Sequence, residues 1–200
     1  MNKIIETNIK WASSLSKRPR TDYIVLHHAE ASKCTVEQVD SWHKQNGWAG
    51  IGYHFFVRKD GTIYRGRPLD TMGAHVNGMN SRSIGICAEG SYMTETMPEA
   101  QKKAICELLV YLKDKYYPVA SIVGHKEVGQ SNCPGKNFPL SEIKNNYRNI
   151  ARQEYTSLND IVWELNHRGI ITDSSLWLKK GTDKNIYWLL RKMCQYIRTH

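Results

Sequence analysis

The chain has 200 residues, 40% of them hydrophobic and 24% charged, which allows one domain, or one domain with a small appendage, and a core that needs no disulfide staples. It contains no apolar run of about 18 residues, which excludes a membrane-spanning helix. Lys and Arg number 28 against 19 Asp and Glu, a net charge of +9, so the expected partners are anionic: nucleic acid, acidic wall polymers or a membrane surface.

Residues 1–21 are basic and without clear period, and read as an arm. Asp22 to His27 (DYIVLH) is a short apolar run rich in β-branched residues, the mark of a buried strand. Thr35, with Gln38 three residues on, makes a capping box, and Val36, Val39 and His43 follow on one helix face. Tyr53 to Lys59, an Asp60-Gly61 turn and Thr62 to Arg65 spell a hairpin. Ser83 to Ala88 (SIGICA) is a second buried strand. Thr96 with Glu99 gives another capping box, ahead of a helix stripe of Ala104, Ile105, Leu108, Leu109 and Leu112. Ala120 to Val123 is a short strand ending at Gly124-His125. Strands alternating with helices predict an α/β layered domain, complete near residue 147.

The last fifty residues differ. Leu158, Ile161, Val162 and Leu165 mark an amphipathic helix stopped by Gly169. Ile186, Leu189, Leu190, Met193 and Ile197 mark another, and Trp177 lies between them. A linker is expected around Asn149–Glu154, so the division reads as residues 1–150 and a small helical domain, 151–200. The sequence shows no internal repeat.

The five cysteines, Cys34, Cys87, Cys106, Cys133 and Cys194, are odd in number and irregular in spacing, which argues against a full disulfide framework. The chain turns polar directly after Met1-Asn2-Lys3-Ile4-Ile5 and lacks the apolar stretch of a secretory signal. The expected setting is therefore a reducing cytoplasm.

Histidine and cysteine placement carries the chemistry. His27 and His28 close one strand, His125 follows another, and Cys133 comes eight residues later, ahead of Pro134-Gly135. Two imidazoles and a thiolate suit a catalytic zinc, which keeps its fourth position open for water. Strand ends can bring such distant residues to one rim of a sheet. Spacing alone leaves a second reading open, in which the histidines are satisfied polar residues and Cys133 is a small buried hydrophobe.

Three longer strings add to this: GIGYHFF at 50–56 with Asp60-Gly61 after it, GAHVNGMNSRSIGI at 73–86, and GHKEVGQSNCPG at 124–135. In order and spacing they resemble the type 2 N-acetylmuramoyl-L-alanine amidases, which include phage lysozyme-amidases and animal peptidoglycan recognition proteins. The resemblance runs from about Thr21 to Tyr147. It implies a central mixed β-sheet flanked by helices, with a zinc groove on one face. It also implies hydrolysis of the amide between the lactyl group of N-acetylmuramic acid and L-alanine of the stem peptide. The implied zinc ligands are His27, His125 and Cys133; His28 would point to the opposite side of its strand. Tyr53 matches the family's tyrosine and would donate to the oxyanion of a tetrahedral intermediate. Ser131 stands where phage relatives tend to have lysine and catalytic recognition proteins threonine, and would assist as a hydroxyl donor or cap a turn. His75 and Asn80 match the family's GAH and following N and would line the groove and contact substrate, or serve a turn-rich loop that orders itself, since Gly73, Gly78 and Asn80 are turn formers. Glu89 is a spare carboxylate just after the Ser83–Ala88 strand, less suited than these residues to a role as base near the metal, and Lys126 reads as a solvated surface charge.

On this reading zinc acidifies a water to a pKa of about 7 and polarises the scissile carbonyl, while Tyr53 and Ser131 share the developing charge. The partner is peptidoglycan, with anionic wall polymers a second target of the basic charge. No nucleic-acid motif is present. Residues 151–200 hold 8 Lys and Arg against 5 Asp and Glu, or +3, together with Trp163, Trp177 and Trp188; they are expected to target the wall or to pack those tryptophans into their own core. A catalytic domain of this kind without a signal resembles a phage or prophage endolysin, held in the host cytoplasm until release to the wall. The alternative from the same resemblance is a non-catalytic peptidoglycan-binding module.

Overall fold

The computed structural model describes residues 3–117 and 119–153, and beyond them 161–162, 165–166, 168–172, 176–177, 186, 190 and 193. Six strands and three helices follow in the order β1 (Ile4–Ile5), β2 (Tyr23–His28), α1 (Val36–Gln45), β3 (Phe55–Val57), β4 (Ile63–Arg65), β5 (Ser83–Ala88), α2 (Glu99–Lys115), β6 (Ser121–Gly124) and α3 (Leu140–Gln153). The strands form one sheet in the order β1-β4-β3-β5-β2-β6. β3 and β4 pair antiparallel across the Asp60-Gly61 turn, and the other strand pairs in the sheet among the described residues are parallel, β2 with both β5 and β6 included. This is a mixed sheet flanked by helices, as the three sequence strings imply.

Strand alternation separates two faces. His27 pairs with Cys87, and Cys87 with Phe56. On that face Cys34, Val36, Val39, Ile51, Phe56 and Cys87 form a buried cluster under α1, with Trp11, Tyr53 and Tyr64 packed against it. The Thr35–Gln38 capping box that starts α1 is present in both directions. The α2 stripe of Ala104, Ile105, Leu108, Leu109 and Leu112 is wholly buried, each leucine contributing about 2 kcal/mol by leaving water.

Three expectations are corrected. No capping box forms at Thr96: α2 begins at Glu99, its cap is Pro98 at φ −61° and ψ 146°, and no side chain caps it. A proline pushes the residue before it out of helical geometry, so Met97 cannot open the helix. The basic arm is not loose. Ile4 and Ile5 pair with Ile63 and Tyr64, Lys17 bridges Thr71, and the Arg18 guanidinium donates to the carbonyls of Thr71 and Leu69 and to Tyr117 Oη. Such anchors have no period, which is why the sequence hid them. Lastly, residues 149–153, expected as linker, continue α3.

The chain divides into two compact units, Met1–Asn145 and Asn146–His200. In the second, Ile161, Val162, Leu165, Ile171 and Leu190 form a buried cluster, with Trp177, Ile186 and Met193 packed on it. Gly169 sits at φ +69°, the left-handed geometry expected of a helix stop. Leu158, Leu189, Ile197, Trp163, Trp188 and Cys194 lie outside the described residues. Cys34, Cys87, Cys106 and Cys133 are free thiols. Among the described residues no helix is long and apolar enough to cross a membrane.

Candidate metal centre

The parallel pairing of β2 with β6 builds the site. Leu26 is in register with Gly124, so the residues that follow, His27 and His125, emerge side by side, with ring centroids 4.8 Å apart. His125 opens a single 3-10 turn, His125–Glu127, whose start is closed by Glu127 accepting the Gly124 N–H at 2.7 Å. The chain then returns. Lys126 N–H donates to the Cys133 carbonyl at 2.8 Å, and Cys133 N–H donates to Ser131 Oγ at 3.0 Å. These bonds bring Cys133 Sγ to 3.6 Å from His27 Nδ1.

The ligand atoms of His27, His125 and Cys133 lie within 4.8 Å of one another, the one group of this kind among the described residues. The donor set fits a catalytic zinc: nitrogen and sulfur ligands, three in number rather than the four of a structural site. Burial, then the neighbouring imidazoles of His75, His125 and His28, holds His27 well below the ordinary histidine range. Burial also lowers His125. Both are therefore neutral, the form that ligates. Burial pushes the Cys133 thiol up to about 12, so its thiolate needs a cation beside it.

Tyr53 forms one wall, its ring 5.0 Å from that of His27. Burial first, and the Cys87 and Cys133 thiols after it, raises the phenol well above its usual range, which keeps it a hydrogen-bond donor. The wall continues outward through His43, 5.4 Å from Tyr53, to Trp48, 4.7 Å from His43. His43 accepts the Gly52 N–H at 2.8 Å, and burial followed by the Arg67 charge lowers it to about 4. The sequence reading placed His43 only on a helix face. The clue available was Trp48, an exposed aromatic next to Gly47 and Gly50, where the chain turns back towards Tyr53.

The remaining candidates are placed as follows. His75 is buried behind His27, its Nδ1 3.0 Å from His27 Nε2. Asn80 Oδ1 accepts the N–H groups of His75 and Val76, at 2.8 and 3.0 Å, and so closes the loop carrying His75. Ser131 holds the Cys133 turn. His28 faces away from the triplet, and its Nδ1 accepts the Tyr92 N–H at 3.0 Å. Glu89 is 2% exposed and is committed to Cys34 N–H, Lys59 N–H and Arg58, apart from the triplet. Lys126 is exposed.

The sheet thus presents a histidine from β2, a histidine directly after β6 and a cysteine from the loop that follows as one possible metal-binding group, and comparison with known proteins supplies the family. Residues 17–136 match the model of the N-acetylmuramoyl-L-alanine amidase family, and the chain belongs to it. It is 40% identical over 128 residues to an endolysin of Klebsiella phage KP32, covering 60% of this chain and 83% of that relative. It is 36% identical over 127 residues to peptidoglycan-recognition protein SC2 of Drosophila melanogaster, covering 58% of this chain and 69% of the relative. Among solved structures, N-acetylmuramoyl-L-alanine amidase LysC from Clostridium intestinale superposes with a TM-score of 0.71 at 44% identity, over 74% of this chain and 99% of that one.

Proposed function

We propose that this chain is a zinc-dependent N-acetylmuramoyl-L-alanine amidase that cleaves the bond between the lactyl group and L-alanine in peptidoglycan, and that it serves a phage or prophage as an endolysin. The observation that carries the reading is the convergence of His27, His125 and Cys133 beside the protonated phenol of Tyr53. Peptidoglycan as substrate is supported by family membership, and the phage setting by endolysin relatives. In that setting the protein waits in the host cytoplasm, and its net charge of +9 favours wall polymers that carry negative charge.

Zinc, when bound, supplies a Lewis acid for the scissile carbonyl and acidifies water. The chain supplies the rest. His27, His125 and Cys133 hold the ion against the sheet rim and leave one side open to substrate. Tyr53 donates its O–H to the oxygen that becomes negative, a contribution of about 3 kcal/mol for one such donor. Ser131 accepts the Cys133 N–H and still has its own hydroxyl hydrogen to offer. The outer wall of His43 and Trp48 gives the stem peptide or sugar an aromatic surface. The presence of Cys133 favours the enzyme over a binding module, since a thiolate ligand has no part in simple recognition.

Cys133→Ala tests the reading by metal analysis and by mass spectrometry of digested sacculi. The expected result is loss of bound zinc and of released L-alanine-terminated stem peptides. Unchanged cleavage by this variant sinks the proposal.

A further inference from the structure

We propose that His75 is the positioning residue for the metal centre: it fixes the tautomer and ring plane of His27, so that His27 offers Nδ1 to the metal. The inference rests on the zinc reading above and goes beyond it by assigning a role to a buried imidazole that lies behind His27.

The hydrogen positions are set from one fixed end. Ser83 Oγ donates its single hydrogen to the carbonyl of Met79 at 2.8 Å, and a carbonyl can only accept. Towards His75 Nε2, 3.5 Å away, Ser83 Oγ is therefore left as an acceptor, which makes Nε2 the protonated nitrogen of His75. A neutral imidazole with Nε2–H carries its lone pair on Nδ1. His75 Nδ1 faces His27 Nε2 at 3.0 Å, so His27 donates from Nε2. Its own lone pair is then on Nδ1, the nitrogen 3.6 Å from Cys133 Sγ. The reverse arrangement would aim an N–H at the thiol and leave His27 unable to ligate.

The ring of His75 is held for this purpose. It stands edge-on to His27 at 87°. A Cβ at Gly73 would lie 2.3 Å from its Cδ2, and one at Gly85 would lie 2.8 Å from its Cγ. Neither glycine is at positive φ, so space rather than backbone geometry calls for them. Asn80 fixes the backbone N–H of the same residue. Metal-bound histidines use their second nitrogen in this way, and loss of the partner costs about 10- to 100-fold in metal affinity.

The test compares His75→Leu with His75→Asn in the full chain. The two side chains have nearly the same shape, but only asparagine can place an acceptor where Nδ1 stands. Zinc affinity is read by competition with a chromogenic chelator, and ligand geometry by the visible spectrum of the cobalt-loaded protein. The leucine variant is expected to bind zinc about 10- to 100-fold more weakly and to alter the cobalt spectrum, and the asparagine variant to recover most of both. Equal affinities for the two variants, or a leucine variant that binds like the parent, overturn the proposal. If the parent itself holds no zinc, or holds it equally well as Cys133→Ala, the zinc reading fails instead; loss in Cys133→Ala alone, with His75→Leu unaffected, condemns only the role given to His75.

Discussion

Tyr53 is protonated at neutral pH as any phenol is, burial raises its pKa further, and on the proposed reading it donates to the oxyanion. Removing only the hydroxyl, in Tyr53→Phe, is expected to lower kcat on the order of 10²-fold while leaving zinc affinity and fold unchanged. A steady-state assay beside a metal titration checks both. If zinc is lost together with activity, Tyr53 supports the ligands rather than the oxyanion. At this scale the sequence was legible where residue type and strand alternation suffice: two adjacent histidines on a strand must face opposite ways, and they do. It was silent on hydrogen-bond partners that come from other segments. It also left open, as one of two readings for each residue, that Asn80 accepts the N–H groups of His75 and Val76 and that Ser131 accepts from Cys133. Both are short polar side chains that can either meet substrate or tie a loop, and only the third dimension shows the tie.

Glu89 stands at the end of β5 and fastens it to two neighbouring elements. Burial pushes its carboxyl up, but the Lys59 N–H, the Arg58 guanidinium and the Cys34 N–H outweigh this and leave it below its ordinary value. A depressed folded value means that the stabilisation is fully present above the usual glutamate range of about 4.3 and is lost as pH falls through the folded value. Glu89→Gln is therefore expected to cost about 1–3 kcal/mol at pH 7, with the two proteins converging in melting temperature as pH falls into the acid range. A gap that stays constant down to acid unfolding contradicts this account. Elements with a repeating pattern were read well: the buried runs of β2 and β5, the α2 stripe and the Thr35 box. Those set by single anchors were not. Pro98 moved the start of α2, and the N-terminal segment is held by backbone pairs and Arg18 rather than by an apolar face.

The two compact units divide the work on our reading, with Asn146–His200 proposed to hold the protein on the wall. Its buried cluster includes contact with Trp177, so that tryptophan serves the unit's own core at least in part. A chain ending at Gln153, which keeps α3 entire, is expected to retain zinc and to bind sacculi about tenfold more weakly or worse, as loss of one of two linked contacts does. Undiminished binding in a pull-down with purified sacculi removes the wall-holding role. The hydrophobic period suggests a long α/β part and a short helical part meeting near residue 150, while the compact units meet at Asn145–Asn146. The point of division was obscured, because α3 runs straight through the stretch that composition marks as a linker.

One feature of the sheet bears on when the molecule becomes able to act. His27 and Cys133 are 106 residues apart in sequence yet share one corner of the site, and β2, which carries His27, takes its neighbours from β5 and β6, both of which come later in the chain. A chain leaving the ribosome therefore makes the first member of the candidate triplet early and the last one late. No nascent chain that has yet to reach residue 133 can close the triplet, so on the proposed zinc reading each copy stays silent until the sheet around β2 is finished.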